Sequence, residues 1–267
     1  MGDILRRHLA PITPEAWQEI ETTAKASLTT FLSGRAVVDV ALPAGWGLAA
    51  VNLGSLRIPE KNEVDGVNWA TRDSLPLIEV RIPFTVSQLD ADNMTRGAQD
   101  MDLDALETAA RRVANFEENA IYNGFAPGNM KGILEVSPHE PVRVEGGLDK
   151  LNEGVGEAIK RLHVEGINGP YALVLPTDQY HVLLETTTRG YPLVKMLHEL
   201  LEGGIHWSTA LTRGVLLSTR GGDYQLVLGQ DLSIGYAIHD KDNIELYFTE
   251  SFAFRILEPA AAAPLHF

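Results

Sequence analysis

The residues from Arg35 to about Asp100 constrain the fold most, because roughly 65 residues pass without a helical pattern. Three β-rich segments, broken by proline and glycine, run through this region: AVVDVALP (36–43), WGLAAVNLGSLRIP (46–59) and LPLIEVRIPFTV (75–86). A polar stretch, Glu60–Asp73, lies between the second and the third. The pattern predicts a long two-stranded arm over about 47–82 that projects from the body. Because an isolated two-stranded ribbon is only marginally stable in water, we expect the arm to pack against something, such as a neighbouring subunit.

The chain on both sides of the arm combines helices with further strands. Ile4, Leu5, His8 and Leu9 share one face of a short helical segment, and Thr13-Pro14 then starts the first main helix, which Gly34 ends. A longer helix is predicted over 104–122, with capping-box spacing between Asp104 and Glu107 and a stop at Asn123-Gly124. Further helices are expected over 148–163, from 177 or 178 onward and over 192–201, and the chain after 214 is β-rich. Helices and strands are therefore segregated, which predicts an α+β fold rather than a doubly wound nucleotide-binding fold.

Composition excludes several classes of function. The 22 basic and 36 acidic side chains give a net charge of -14, which argues against nucleic acid as the main partner because phosphate binding needs a surplus of Lys and Arg. The chain has no cysteine, so disulfides, thiol chemistry and thiolate metal sites are excluded. It has no secretory signal pattern, and no apolar run approaches the ~20 residues of a membrane span. The default expectation is a soluble intracellular protein that binds no membrane.

Residues 229–240, GQDLSIGYAIHD, concentrate polar side chains between two apolar segments: Asp231, Ser233, Tyr236, His239 and Asp240. In a strand, Asp231 and Ser233 fall on one face, and Leu232, Ile234 and Tyr236 fall on the other. His239 and Asp240 then lie too far along the strand to share a tight site with Asp231. The segment therefore gives no catalytic triad, and nothing specific in it supports enzyme chemistry.

Other motifs for nucleotides, metals and catalysis fail as well. Gly154-Val155-Gly156 lacks the third glycine of a dinucleotide fingerprint, and no P-loop, H-E-x-x-H or G-x-S-x-G sequence occurs. The segment around Asp90–Asn93 lacks the glycine and the terminal glutamate of a calcium loop. His198 and His206 are eight positions apart with Gly203-Gly204 between them, a pattern that favours two partly exposed histidines at a helix end over a metal site. The loop TTTRGYP (186–192) is compatible with an exposed functional loop and, equally, with a plain connector between helices.

Several segments, taken together and in order, resemble those of the encapsulins, also called linocin-type proteins. They are LRRHLAPITPEAWQEIE (5–21), GRAVVDV (34–40), GWGLAAVNLG (45–54), SLPLIEVRIPFT (74–85), GPYALVL (169–175), RGYP (189–192) and RGGDYQLVLGQDLSIGY (220–236). The resemblance runs from residue 1 to 267 and implies the fold of tailed-phage major capsid proteins. That fold has a peripheral domain with a long helix, an axial domain around the symmetry axes, and an extended β-hairpin arm. On this basis the N-terminal helical segment covers 1–34, the arm base and arm 35–100, the peripheral domain 101–132 and 215–267, and the axial domain 133–214.

The resemblance also implies a function without catalysis. Encapsulins form icosahedral compartments in the prokaryotic cytoplasm and enclose a cargo enzyme, commonly a ferritin-like iron oxidase or a dye-decolourising peroxidase, whose terminal targeting peptide docks on the inner wall. Carried over to this sequence, the residues expected to bind the cargo peptide are Leu5, Leu9, Arg35, Asp39, Asp231, Leu232 and Ile234. The expected pore loop is Thr186, Thr187, Thr188, Arg189, Gly190 and Tyr191, where a ring of Arg189 side chains would favour small anions.

No metal or other cofactor is expected in the shell protein itself, although the cargo can carry iron or haem. Some relatives bind flavin through an outer aromatic residue, but VSQLDADN (86–93) has no tryptophan, so flavin is not predicted. The expected partners are other copies of the chain and the cargo protein.

Two other functions stay open from the sequence. A prophage major capsid protein shares the fold, but it commonly begins with a scaffolding segment, whereas this sequence begins in the docking segment. A bacteriocin-like or hydrolase activity is the third possibility, and the lack of a nucleophile and base in a recognisable arrangement counts against it.

Overall fold

The computed structural model describes residues 3–188 and 190–267. A single 3-10 turn, Arg7–Leu9, replaces the short N-terminal helix that the sequence predicts. Helix α1 (Pro14–Phe31) begins as expected, with Thr13 Oγ1 accepting a hydrogen bond from the Ala16 N–H at 3.4 Å. Gly34 does not end α1 but begins the short helix α2 (Gly34–Val37). A Cβ at Gly34 would lie 2.7 Å from Ile121 Cδ1, so the close approach of another helix requires glycine there.

The arm is a two-stranded ribbon that follows strand β1 (Asp39–Val40). Its long strands are β2 (Ala50–Arg57) and β5 (Thr71–Pro76), and β3 (Glu63–Val64) pairs with β4 (Val67–Asn68) near its tip. The paired arm is shorter than the predicted 47–82 because the next strand, β6 (Ile78–Ser87), leaves it and pairs with residues 243–252 of the body.

Helix α3 (Gln88–Thr95) follows β6 in a region where the sequence predicts none. Its N-terminus is capped by Ser87, whose Oγ accepts from the Asp90 N–H at 3.2 Å. Ala91 is its buried residue, so α3 has no apolar stripe by which a helical period could be recognised.

Helix α4 (Asp104–Tyr122) is the long helix that the sequence predicts, with the same bounds. The expected capping box is wrong: Leu103 is the N-cap residue, and Asp102 Oδ1 instead accepts from the Asp104 N–H at 3.1 Å. The helix ends at Asn123, followed by Gly124 at a φ of 88°. Its buried face includes two charged residues, Glu117 and Glu118, among apolar ones.

The remaining elements alternate short strands with helices before a β-rich end. The first group comprises β7 (Gly124–Phe125), β8 (Met130–Lys131), α5 (Ile133–Val136), β9 (Val142–Arg143), α6 (Leu151–Val164), β10 (Tyr171–Pro176), α7 (Thr177–Glu185), β11 (Thr187–Thr188), β12 (Tyr191–Pro192), α8 (Leu193–Leu200) and β13 (Ile205–Ser208). The second comprises β14 (Gly214–Ser218), β15 (Tyr224–Leu228), β16 (Ser233–His239), β17 (Asn243–Ile256) and β18 (Ala262–His266). Helix α6 starts later than the predicted residue 148 because a 3-10 turn, Gly147–Lys150, precedes it.

Two five-stranded sheets organise the described residues. The first has the order β1-β15-β17-β16, with β6 paired along the other edge of β17, and the second has the order β13-β10-β14-β18-β9. The alanine-rich tail forms β18, which pairs with β14 and β9 and buries Leu265 completely. Strands β14 and β18 therefore join the sheet that contains β10, although their residues largely fall in the range expected for the peripheral domain.

Two apolar cores result from this arrangement. The larger surrounds the second sheet and reaches the end of α4, and the smaller packs α1 and α4 against β6, β16 and β17. Ile20, Leu106 and Phe248 are almost fully buried in the smaller core. Among the helices of the described residues, none is both long and apolar enough to span a membrane.

Candidate functional site

A groove of about 430 Å³ lies between helix α1, the N-terminal segment and the start of strand β16. We call it the α1–β16 groove. Its lining residues are Leu5, Arg7, Glu21, Ala24, Lys25, Leu28, Thr29, Leu32, Arg35, Asp231, Leu232, Ser233, Ile234 and Phe248. Phe248 and Ile234 are buried at its base, and Leu28, Leu32 and Leu232 are half-buried along it. The groove therefore combines apolar side chains with charged groups at its margins.

The N-terminal segment is fixed in place as one wall of this groove. The Tyr236 N–H donates a hydrogen bond to the Leu5 carbonyl at 2.8 Å, which joins the segment to the edge of β16. The Arg7 guanidinium lies 4.1 Å above the Trp17 ring and forms an ion pair with Glu21 of α1. Leu5 and Arg7 are thus held against α1 and β16, and the groove lies between this segment, α1 and β16.

Arg35 connects the groove to buried acids beneath it. Its Nη1 donates to Asp231 Oδ1 at 2.8 Å, and its Nε and Nη2 form a bidentate pair with Glu117 at 2.6–3.1 Å. Nη2 also donates to Glu250 Oε1 at 2.6 Å. Burial opposes the charge of Arg35, but the hydrogen bond and charge of Glu117, with those of Glu250 and Asp231, outweigh it, so the pKa of Arg35 is raised.

Glu118 forms a second buried network at the junction between helices α1 and α2. It accepts hydrogen bonds from Ser33 Oγ (2.5 Å), from the Gly34 N–H (2.6 Å) and from Ser208 Oγ (2.7 Å). Burial raises the pKa of Glu118 to about 7, although these three hydrogen bonds act in the opposite direction. Glu118 therefore ties the α1–α2 junction, and with it one wall of the groove, to strand β13 of the second sheet.

Five of the seven residues expected to bind the cargo peptide meet in this groove: Leu5, Arg35, Asp231, Leu232 and Ile234. The structure does not bring the other two there. Leu9 lies outside the lining with 53% of its surface exposed. Asp39 instead accepts a hydrogen bond at Oδ2 from the Gly222 N–H (2.6 Å) and fixes the turn at 220–223.

Sequence reasoning missed other members of the site. Leu28, Leu32 and Phe248 line the groove, but their spacing on α1 and in β17 is that of ordinary core residues. Glu117 and Glu250 gave no signal, because their common partner Arg35 is separated from them by 82 and 215 residues. The apolar positions around Glu117 in α4 are the one hint that its side chain is buried.

The predicted pore loop joins helices α7 and α8. Strands β11 and β12 pair Thr187 with Pro192 and Thr188 with Tyr191. Thr186 Oγ1 donates to the Val182 carbonyl at 2.7 Å, and Tyr191, which is 44% exposed, donates to Glu199 Oε1 at 3.4 Å. Gly190 has a φ of 80°, which places it in a turn that glycine adopts readily. Arg189 lies outside the described residues.

The arm carries apolar side chains that contact little else in the chain. Leu53, Leu56, Ile58, Val64, Val67 and Trp69 are between 39% and 65% exposed. Large contiguous apolar surfaces on a protein generally mark an interaction site. Among the described residues, no three His, Asp or Glu side chains are grouped so that they could hold a metal ion.

Comparison with known proteins identifies relatives along the whole chain. The family model Linocin_M18, described as "Encapsulating protein for peroxidase", matches residues 2–253. The type 1 encapsulin shell protein of Rhodococcus erythropolis is 41% identical over 261 residues, which are 98% of each chain. That of Mycobacterium tuberculosis is 36% identical over 261 residues, again 98% of each chain.

Solved structures share the fold at low sequence identity. The virus-like particle of Pyrococcus furiosus matches with a TM-score of 0.67 and 16% identity, covering 94% of this chain and all of the other. The capsid of Myoviridae phage XM1 matches with a TM-score of 0.55 and 13% identity, covering 88% and 91%. The predicted α+β fold of tailed-phage major capsid proteins is thereby confirmed.

Proposed function

Because the chain belongs to the encapsulin shell-protein family, we propose that its copies assemble into a closed icosahedral compartment in the prokaryotic cytoplasm. The compartment would enclose a cargo enzyme, of which a ferritin-like iron oxidase and a dye-decolourising peroxidase are the two classes we favour. The shell protein would have no catalysis of its own. The cargo would be retained by its terminal targeting peptide, bound in the α1–β16 groove.

The exposed arm supports assembly. Burial of its exposed apolar side chains stabilises the protein only when another surface covers them, and the strands of the arm contact mainly one another. Neighbouring subunits provide such a surface in a symmetric closed shell. The similarity to phage capsids supports the fold alone, whereas identities of 36–41% over 98% of the chain favour an encapsulin over a viral capsid protein.

The groove supports peptide docking. It is open, lies between a helix and a strand, and is apolar at its base, with Leu28, Leu232 and Ile234 available to a peptide side chain. Each leucine-sized side chain buried there would contribute about 1.5–3 kcal/mol. Asp231, which is 42% exposed, could accept hydrogen bonds that fix the direction of the peptide. Many identical grooves on one inner wall would increase the retention of an oligomeric cargo.

A loading experiment tests the docking proposal. The chain is co-expressed with a fluorescent protein that carries the C-terminal segment of a ferritin-like iron oxidase or of a dye-decolourising peroxidase, and the fluorescence that co-purifies with the particles is measured. We expect Leu232→Asp to lower the loaded fraction at least tenfold and to leave the particles intact, because a charge in the groove opposes burial of an apolar side chain.

Ile238→Asp is the matched control, since Ile238 lies in β16, six positions after Leu232, is 63% exposed and does not line the groove. Equal loading of the two variants would exclude the groove as the docking site. Loss of particles in Leu232→Asp alone would assign Leu232 to the packing of the subunit.

A further inference from the structure

Three carboxyl groups surround one guanidinium beneath the α1–β16 groove. Arg35 is the shared partner of Glu117 from α4, of Glu250 from β17 and of Asp231 from the segment before β16. The side chains of Glu117 and Glu250 are fully buried, whereas Asp231 is 42% exposed and faces the groove. Glu250 uses only Oε1 for Arg35, and its Oε2 is buried without a hydrogen-bond partner among the described residues.

This arrangement cannot hold three negative charges at low cost. One guanidinium compensates one carboxylate that is removed from water, and each further buried charge is unfavourable. Burial raises the pKa of Glu250 well above its usual range, the negative charges of Glu117 and Asp231 raise it further, and the positive charge of Arg35 acts in the opposite direction. Glu250, whose Oε2 has no donor beside it among the described residues, is therefore the best candidate in the cluster to hold a proton, whereas Glu117 is the bidentate partner of Arg35.

Asp231 is the member through which an occupant of the groove can act on Glu250. A docked peptide that places N–H groups or a Lys or Arg side chain on Asp231 neutralises part of its negative charge. The cluster then contains less negative charge around Arg35, and ionisation of Glu250 becomes easier. We propose that docking of such a peptide on Asp231 releases a proton from Glu250 to solvent, so that the groove binds its cargo more tightly as the pH rises. The proposal rests on the docking function proposed above.

The size of the effect follows from linkage. If docking lowers the titration midpoint of Glu250 by half a pH unit, the affinity for the peptide at high pH is about threefold that at low pH. A decrease of one full unit makes this ratio about tenfold. The rise occurs only across the pH range in which Glu250 carries its proton in the empty groove and has lost it in the occupied one.

The first experiment needs no peptide. Infrared difference spectra of the assembled protein follow the C=O band of protonated carboxyl groups with pH, and Glu250→Gln identifies the part of the band that belongs to Glu250. Glu245→Gln is the control, because Glu245 is an exposed residue of the same strand. We expect Asp231→Asn to move the Glu250 midpoint down by roughly half a pH unit, and Asp231→Lys to move it further in the same direction. The same Glu250 midpoint in the wild type, Asp231→Asn and Asp231→Lys would overturn the proposal, and so would a Glu250 band that disappears within the ordinary titration range of glutamate.

The second experiment measures the linkage itself. Calorimetric titration of empty particles with a synthetic peptide, the terminal 15 residues or so of the candidate cargo, is repeated in two buffers of different ionisation enthalpy and at several pH values. We expect net proton release and a three- to tenfold rise in affinity with pH in the wild type and in Glu245→Gln, and neither in Glu250→Gln. Binding with the same pH profile in Glu250→Gln would refute the proton linkage. If the peptide does not bind at any pH, the docking function fails, and the infrared titration still decides whether Asp231 and Glu250 are coupled.

Discussion

Removal of Arg35 should be among the most damaging changes to the charged residues of this protein. Arg35→Met leaves Glu117 and Glu250 buried without their cation, and the loss of one partner from a buried charge pair costs about 3–5 kcal/mol. For a chain of this size each kcal/mol corresponds to about 2–4 °C, so the expected decrease in melting temperature is about 10 °C. The loss should be smaller at pH 5 than at pH 8, because a buried carboxyl group without its cation takes up a proton more readily at low pH, which removes the uncompensated charge.

Melting curves at a fixed scan rate measure this loss, with Arg57→Met as the matched control. Arg57 is 70% exposed and pairs with Asp73 at 2.6 Å on the arm, and an exposed pair of this kind contributes about 1 kcal/mol or less. We expect the control to change the melting temperature by no more than about 3 °C. Equal effects of the two substitutions would refute the assignment of Arg35 as the buried hub.

Three further predictions concern packing and protonation. Gly34→Ala should destabilise the protein by about 1–3 kcal/mol, because the added Cβ would lie 2.9 Å from Glu118 Oε1. Gly156→Ala should stabilise it by about 0.5–1 kcal/mol, because a Cβ there meets nothing within 4 Å. Melting curves of the two variants check both predictions. Burial raises the pKa of Glu118 to about 7, so its contribution to the free energy of unfolding is fully present below the ordinary glutamate value and is lost as the pH rises through 7. Between pH 4.5 and 8 the wild type should therefore lose about 3 kcal/mol of stability relative to Glu118→Gln. Parallel curves of stability against pH for the two proteins would contradict this. Leu265→Ala should lower the free energy of unfolding, measured with a chemical denaturant, by about 2–5 kcal/mol because the Leu265 side chain is fully buried. Leu257 is half exposed, so Leu257→Ala should lower it much less, and equal losses in the two variants would contradict the inclusion of the tail in the core.

The sequence predicts well those elements whose signals are local. The cap at Thr13 and Pro14, the 104–122 helix and its end at Gly124 follow from neighbouring residues and from the 3.6-residue period. The β-rich character of the chain after residue 214 is also predicted correctly, because apolar runs between turns form β14, β15, β16 and β17 there.

The sequence predicts poorly those features that depend on contacts between distant parts of the chain. Gly34 looks like a helix stop, but its lack of a side chain is required by Ile121, which lies 87 positions away in the printed sequence. The alanine-rich tail gives no strand pattern of its own, yet Ala262–His266 forms β18 because β14 and β9 pair with it. Of the groove, five residues could be expected from a family resemblance: Leu5, Arg35, Asp231, Leu232 and Ile234. The buried acids Glu117 and Glu250 could not, since a charged residue at a core position is recognised only once its partner is known.

Light scattering and negative-stain imaging of the purified chain test self-assembly most directly. The proposed function predicts uniform hollow particles of a single size, many times heavier than the 29.2 kDa chain. A discrete monomer or dimer near the chain mass, with no closed particles at any protein concentration tested, would contradict a shell function.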